Sequence, residues 1–180
     1  MRIFRLDYFF LLSCSLILST SYANTMGHGI VSMNGEIIDT ACAISMDSKE
    51  QSIDMGILPL GVIRSQGEGD FRDIDIYLVN CDLGKSEKPG KPAEQWSVLR
   101  MTFDGESENG LFQVFGEASG VGLYMQDENN RQVIPGDALP EQEIVPQTMR
   151  LRYKLKLVSN NQPLRAGTYQ STIRFKVDYY

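Results

Sequence analysis

The stretch that decides the fold of this chain is Thr168–Tyr180, TYQSTIRFKVDYY. Its apolar residues share one face of an alternating pattern, namely Tyr169, Ile173, Phe175, Val177 and Tyr179. Successive side chains of a β-strand point to opposite faces, whereas a helix would mix the apolar and polar sets around its circumference. The pattern therefore predicts one long, half-buried strand.

A second run, Arg150–Leu157 (RLRYKLKL), alternates in the same way, and its inward set is Leu151, Tyr153, Leu155 and Leu157. Shorter strands are predicted at Ile37–Met46, Asp70–Cys81, Val98–Phe103, Leu111–Phe115 and Val121–Met125. In Asp70–Cys81 the apolar parity changes after Leu78, which indicates either a bulge or burial on both faces. The polar segment Asp82–Gln95 predicts an exposed loop. Because glycines and prolines punctuate these runs, the sequence predicts an all-β antiparallel sandwich.

The composition narrows the class of protein. The chain has 180 residues and a net charge of −6, with 42% hydrophobic and 22% charged residues. These values are ordinary for a globular domain and exclude a collagen, a disordered acidic tail and a multi-span membrane protein. The acidic balance also argues against a nucleic-acid partner.

The N-terminus has the pattern of a secretory signal peptide. Arg2 and Arg5 precede an apolar run, Tyr8–Leu18, and a small-x-small motif follows at Ser21–Ala23. The run is shorter than the roughly 20 residues that span a bilayer. Residues 1–23 are therefore predicted to be removed on export, with a buried or re-entrant helix as the alternative.

The predicted export determines which cysteines remain in the mature chain and how they are interpreted. Cleavage after residue 23 would remove Cys14 and leave Cys42 and Cys81. An even pair in an exported protein predicts a disulfide, with two reduced thiols as the alternative. Two cysteines and the single histidine, His28, do not make a four-ligand zinc site, so no metal is expected.

No constellation of catalytic residues is present. A Ser-His-Asp triad would need His28, which lies in a glycine-rich segment near the predicted mature N-terminus. The sequence contains no G-x-S-x-G, P-loop or H-E-x-x-H motif. We therefore expect no enzymatic activity, no catalytic residue and no cofactor.

The two ends of the predicted sandwich are unusual. In Met26–Gly35 (MGHGIVSMNG), Gly27, Gly29, Val31 and Met33 share one face, and the glycines make this arm poor at packing within its own domain. At the other end nothing follows Thr168–Tyr180 that could form a closing strand. A sandwich without that strand would expose an apolar groove and unpaired edges.

Four blocks of sequence resemble the pilins of chaperone–usher fimbriae. Gly35–Ile44 (GEIIDTACAI) is similar to their first-cysteine block, and Gln51–Gly56 (QSIDMG) is similar to the strand that follows it. Leu78–Asp82 (LVNCD) resembles their second-cysteine block, and Gly167–Tyr180, with an aromatic residue next to last, resembles their terminal strand. The blocks occur in the family's order and, from the first to the last, span nearly all of the chain after residue 23.

The resemblance implies an incomplete immunoglobulin-like sandwich that lacks its last strand. It implies a signal peptide at residues 1–23, a donor-strand extension at 24–35 and a pilin domain at 36–180. The donor residues would be Gly27, Gly29, Val31 and Met33, and the acceptor groove would be formed by Leu151, Tyr153, Leu155, Leu157, Ile173, Phe175, Val177 and Tyr179. A periplasmic chaperone would anchor on the terminal carboxylate of Tyr180, and an outer-membrane usher and other pilin subunits would be the later partners. The destination would be a fimbrium on the cell surface.

The position in the fibre is a separate question. Arg100–Gly105 (RMTFDG) and the ending Phe175–Tyr180 resemble the minor subunit that terminates and anchors P-type pili, although the N-terminal arm is that of an ordinary pilin. A terminator is the expectation, and a major rod or adaptor pilin is the alternative. A self-complete secreted sandwich that binds a ligand is the alternative from another class.

Overall fold

The computed structural model describes residues 30–36, 40–86 and 94–180. The predicted signal peptide and donor residues Gly27 and Gly29 lie outside the described residues. The chain divides into two units, residues 1–37 and residues 38–180. Residues 30–36 lie outside any helix or strand.

Thirteen short strands and two helices make up the described part of the second unit. The strands are β1 (Ala43–Ile44), β2 (Arg72–Cys81), β3 (Lys85–Ser86), β4 (Glu94–Gln95), β5 (Val98–Asp104), β6 (Ser107–Glu108), β7 (Leu111–Gln113), β8 (Phe115–Gly116), β9 (Val121–Asp127), β10 (Gln142–Glu143), β11 (Gln147–Ser159), β12 (Tyr169–Gln170) and β13 (Arg174–Tyr179). The helices are α1 (Met46–Lys49) and α2 (Leu60–Gln66). Neither described helix is long and apolar enough to cross a membrane.

Two antiparallel sheets enclose the core. The larger has the order β1-β2-β11-β9-β7-β6 and the smaller β10-β5-β13. Phe103 from β5 meets Tyr153 from β11 edge-on, with ring centroids 4.6 Å apart. Leu78, Leu99 and Met101 are fully buried around them. The predicted all-β sandwich is therefore confirmed.

The parity change in β2 is a bulge. Cys81 lies opposite Gln147 and Val79 lies opposite Thr148, so Asn80 is the extra residue, with a left-handed φ of 53°. The bulge returns Cys81 to the inner face that Leu78 already occupies. There it forms a disulfide with Cys42, as the sequence predicted.

The predicted terminal strand is interrupted. β12 pairs with β8, β13 pairs with β5, and Ser171–Ile173 between them belong to no strand. The Ser171 hydroxyl donates to the Gln113 carbonyl at 2.6 Å where the chain changes partner. The inward alternation survives the break because Ser171, Ile173 and Phe175 are all half-buried.

The strand predicted at Ile37–Met46 is also too long. Only Ala43–Ile44 pairs with β2, and helix α1 begins at Met46. Beyond Ile44 the Ser45 N–H still donates to the Tyr77 carbonyl at 2.9 Å, but the Ser48 hydroxyl, not a backbone carbonyl, accepts the Tyr77 N–H at 2.9 Å and replaces the next ladder bond. Residues 37–39 of this prediction lie outside the described residues.

Three smaller differences concern local pairing. The strand predicted at Leu111–Phe115 is two pieces, because β7 pairs with β9 and β8 with β12. The predicted loop Asp82–Gln95 contains a short ladder of β3 and β4, with residues 87–93 outside the described part. Helix α2 was not predicted, and it ends where the Gly67 N–H donates to the Ile63 carbonyl with Gly67 at a φ of 80°.

Candidate functional site: an open apolar groove

A groove of about 1180 Å³ lies in the second unit. Its floor is apolar and comes from the inner faces of both sheets: Ile74, Ile76, Phe103, Val121, Leu123, Met125, Leu155 and Leu157. Most of these side chains also belong to the buried core, so the groove opens directly onto the core of the sandwich. Two segments of the chain form its sides.

The first wall is Ser52–Leu58, which forms no helix or strand. The Gln51 amide tethers its start by donating to the Asp75 carbonyl at 2.9 Å. Ser52–Leu58 make no backbone–backbone hydrogen bond with another described residue. The wall thus presents unpaired backbone N–H and C=O groups, which another strand could use.

The inward side of the first wall is nonetheless apolar. Ile53, Met55 and Leu58 are half-buried, whereas Ile57 is 99% exposed. The alternation slips by one residue at Gly56, whose N–H is bonded to the Asp54 carboxylate at 2.8 Å and whose φ is +70°. A glycine adopts that conformation without steric cost. The slip brings Leu58 back toward the groove.

The second wall is Tyr169–Phe175, whose groove-facing side chains are half-buried: Tyr169, Ser171, Ile173 and Phe175. In the described part of the chain, β13 pairs only with β5, so its other edge is free. The groove therefore lies between two free backbone edges over an apolar floor. That combination suits an added extended strand better than a small polar ligand.

Charge lies at the Tyr169 end of the groove. Burial raises the pKa of the Tyr169 hydroxyl, the nearby Asp54 carboxylate raises it further, and Arg72 opposes both.

Among the described residues there is no group of three or more His, Cys, Asp or Glu that could hold a metal ion. The site offers apolar surface and backbone hydrogen bonding.

The eight predicted groove residues separate into three sets. Leu155, Leu157, Ile173 and Phe175 line the groove together. Leu151 and Tyr153 are buried in the core beside it, and burial raises the pKa of the Tyr153 hydroxyl. Val177 and Tyr179 are half-buried but lie outside the lining.

The sequence analysis did not assign the first wall or β9 to the groove. It related Gln51–Gly56 to a pilin strand, whereas residues 51–58 form no helix or strand and instead line the groove through Ile53 and Met55. Leu123 and Met125 lie in a strand that was predicted but not assigned to the groove. Nothing in the sequence says which strands meet across a sandwich.

The other predicted site residues lie at the two ends of the chain. Val31 and Met33 of the predicted donor arm are 84% and 89% exposed. The carbonyl oxygen of Tyr180 accepts the N–H groups of Ser97 at 2.8 Å and Val98 at 3.1 Å. The guanidinium of Arg100 lies 5.1 Å from the centroid of the Tyr180 ring.

Comparison with known proteins agrees with this geometry. A family model described as Fimbrial protein matches residues 31–180. The PRS and PAP fimbrial minor pilin proteins of Escherichia coli are each 30% identical to this chain over 84% of its length and 77% of theirs. A solved chain from a chaperone–usher pilus, whose structure addresses the molecular basis of rod uncoiling, aligns with a TM-score of 0.67. That alignment, at 22% identity, covers 86% of this chain and 97% of the other, and it concerns the fold.

Proposed function

The chain belongs to the fimbrial protein family of chaperone–usher pilus subunits, and from this premise we propose that its groove accepts a donor strand from another protein. As a member, it is a structural subunit of a surface fimbrium and not an enzyme, and other pilin subunits are its partners. Its fold is the all-β, immunoglobulin-like pilin fold. The proposal concerns how the subunits join.

The observation that carries the proposal is the pair of free edges along the groove. A strand laid between Ser52–Leu58 and Tyr169–Phe175 could bond to both backbones at once. Its alternate side chains would cover the apolar floor, which is otherwise open to water. Burying that surface contributes about 25 cal/mol per Å² of apolar area, and each satisfied buried backbone group avoids a cost of roughly 1–3 kcal/mol.

The strand would come from two sources in turn. After export and loss of residues 1–23, a periplasmic chaperone would fill the groove and anchor on the terminal carboxylate of Tyr180. In a rod or adaptor subunit, the N-terminal arm of another subunit would then replace the chaperone at the outer-membrane usher. This chain would in turn donate its own arm through Gly27, Gly29, Val31 and Met33.

Complementation of the mature chain, residues 24–180, tests this proposal. We expect the chain to aggregate when refolded alone and to fold cooperatively when a synthetic peptide of residues 24–36 is present. Circular dichroism and urea unfolding would measure both states, with a scrambled peptide as the control. A soluble monomer that unfolds cooperatively without any peptide would instead support a self-complete sandwich that binds some other ligand.

Within this function, we propose that the chain is a minor subunit that terminates and anchors the fibre. Two relatives over most of the chain are named minor pilins, which supports a minor role, and the resemblance of Arg100–Gly105 and Phe175–Tyr180 to the terminating subunit of P-type pili supports a terminator. A terminator should bind chaperone but refuse to exchange it for an incoming donor arm, while its empty groove still takes up a free peptide on refolding. Incubating the chaperone-bound subunit with a donor peptide measures this directly: slow exchange supports a terminator, and rapid exchange assigns the chain to the rod or adaptor class.

A further inference from the structure

The groove stops before the second strand edge does. Along the C-terminal segment the inward residues are Tyr169, Ser171, Ile173, Phe175, Val177 and Tyr179, and only the first four line the groove. On the opposite side Ile44 and Ser48 line it, whereas Cys42 does not. The groove is therefore closed by a contact that lies between Phe175 and the end of β13.

The closing contact is a hydrogen bond across the groove. The hydroxyl of Tyr179 donates to the carbonyl oxygen of Cys42 at 3.2 Å and so connects β13 in the smaller sheet to the residue before β1 in the larger. The side chain is half-buried, and burial raises the pKa of Tyr179 to about 12. The hydroxyl therefore remains a donor throughout the physiological pH range.

Both partners of this contact are fixed in place. Cys42 is held by its disulfide to Cys81, and the preceding carbonyl, of Ala41, accepts the Asp82 N–H at 2.8 Å. Beyond Tyr179, the N–H of Tyr180 donates to the Val98 carbonyl at 2.9 Å. A rigid bridge of this kind differs from the first wall, which has no backbone partners of its own.

We propose that Tyr179 is an end stop: it sets how far a strand added to the groove can extend, and hence the register in which that strand binds. Because side chains alternate with a period of two, a strand that slips by two residues places each inward side chain in its neighbour's position. The stop forbids that slip past Phe175. Along Tyr169–Phe175 four inward positions then remain, as many as the predicted donor residues Gly27, Gly29, Val31 and Met33.

The inference rests on the proposed strand-accepting function, and three peptides test it separately. The first has the sequence of residues 24–36 of this chain. The other two carry one bulky substitution at the next inward position beyond the four, Thr25→Leu at one end or Gly35→Leu at the other. Whichever direction the strand runs, one of these leucines meets Tyr179.

Affinity is read from the rise in urea stability of the mature chain with peptide concentration. We expect wild type to bind one leucine peptide at least about tenfold more weakly than the unsubstituted peptide, a difference of about 1.4 kcal/mol. Tyr179→Ala should abolish this discrimination, and Tyr179→Phe, which removes only the hydroxyl, should reduce it. Tyr77→Phe, a matched change outside the groove, should leave it as in wild type.

Each outcome decides one point. If wild type binds all three peptides equally, or if discrimination persists unchanged in both Tyr179 variants, the end stop is rejected while the groove keeps its function. If no peptide binds wild type, the strand-accepting function fails and the end stop fails with it. Should Tyr179→Ala not fold, the comparison of Tyr179→Phe with Tyr77→Phe still decides the question.

Discussion

Strand β2 and the first groove wall, Ser52–Leu58, both present alternating apolar side chains to the same core. β2 is bonded to β11 along most of its length and to β1 at its other edge. The first wall has no backbone partner among the described residues. Side-chain periodicity thus specifies that a segment faces the core, and it leaves open whether the backbone of that segment is paired.

The paired β2–β11 region and the groove walls should also contribute to different properties of the protein. The β2–β11 region contains the disulfide, the bulge at Asn80 and fully buried residues such as Leu78. The groove walls hold half-buried residues whose apolar contacts are completed only when another strand arrives. Stability should therefore depend on the paired region, and partner binding on the walls.

Removing the disulfide should give the largest effect and sharpen this separation. Cys42 and Cys81 close a loop with a sequence separation of 39, and a cross-link of that span stabilises by about 4 kcal/mol in the chain-entropy model. The double variant Cys42→Ser/Cys81→Ser should lose about that much in urea unfolding, measured with the same donor peptide present for both proteins. Thiol titration of the denatured, unreduced wild type should find no free thiol in the mature chain, and two free thiols would contradict the premise.

Truncating one leucine in each region tests the comparison most directly. Leu78→Ala should destabilise the peptide-bound chain by about 3 kcal/mol, because it leaves a cavity in a fully buried site. Leu58→Ala, in the half-buried first wall, should instead lower peptide affinity and should cost less stability than Leu78→Ala when peptide is saturating. Equal effects of the two variants on both quantities would break the distinction between the regions.

A bulky residue in the donor arm should act on the groove alone. Gly29→Leu in the donor peptide places a large side chain on the face predicted to enter the groove, and overpacking of this kind costs typically about 1–3 kcal/mol. Ser32→Leu, on the opposite face of the arm, is the matched control and should bind as the unsubstituted peptide does. Titration of both peptides against the mature chain measures the difference, and tight binding of the Gly29→Leu peptide would show that the arm does not bind in this orientation.

The features that the sequence predicted correctly lie mainly in the paired region. Strands that bury one face, such as β5 and β11, were found within a few residues because burial imposes the period of two. The parity change in β2 indicated either a bulge or burial on both faces, and the structure has the bulge. These features depend on which side chains are apolar, and a sequence shows that directly.

The features that the sequence did not reveal depend on distant partners. The break between β12 and β13 exists because the chain exchanges β8 for β5, and β1 is short because the Ser48 hydroxyl replaces a ladder bond. Val177 and Tyr179 have the right parity for the groove, yet the hydroxyl of Tyr179 reaches Cys42 and closes it there. Helix α2, with seven residues, is too short for a helical period to stand out.

The smallest predicted effect lies on the outer surface of the paired region, where Arg150 of β11 bonds to Asp75 of β2 through Nε at 2.8 Å and Nη2 at 2.6 Å. These hydrogen bonds lower the pKa of Asp75 below its ordinary value, against a smaller opposing effect of burial. A lowered folded-state pKa means that the stabilisation is present above the unfolded-state pKa, about 3.9, and is lost as the pH falls through the folded-state pKa.

Asp75→Asn should therefore cost less than about 1 kcal/mol at neutral pH, because both side chains are partly exposed and solvent screens the pair. Urea unfolding should show this cost shrinking toward zero in acid. A cost of Asp75→Asn that persisted unchanged in acid would mean that the paired sheet does not depend on this carboxylate's charge.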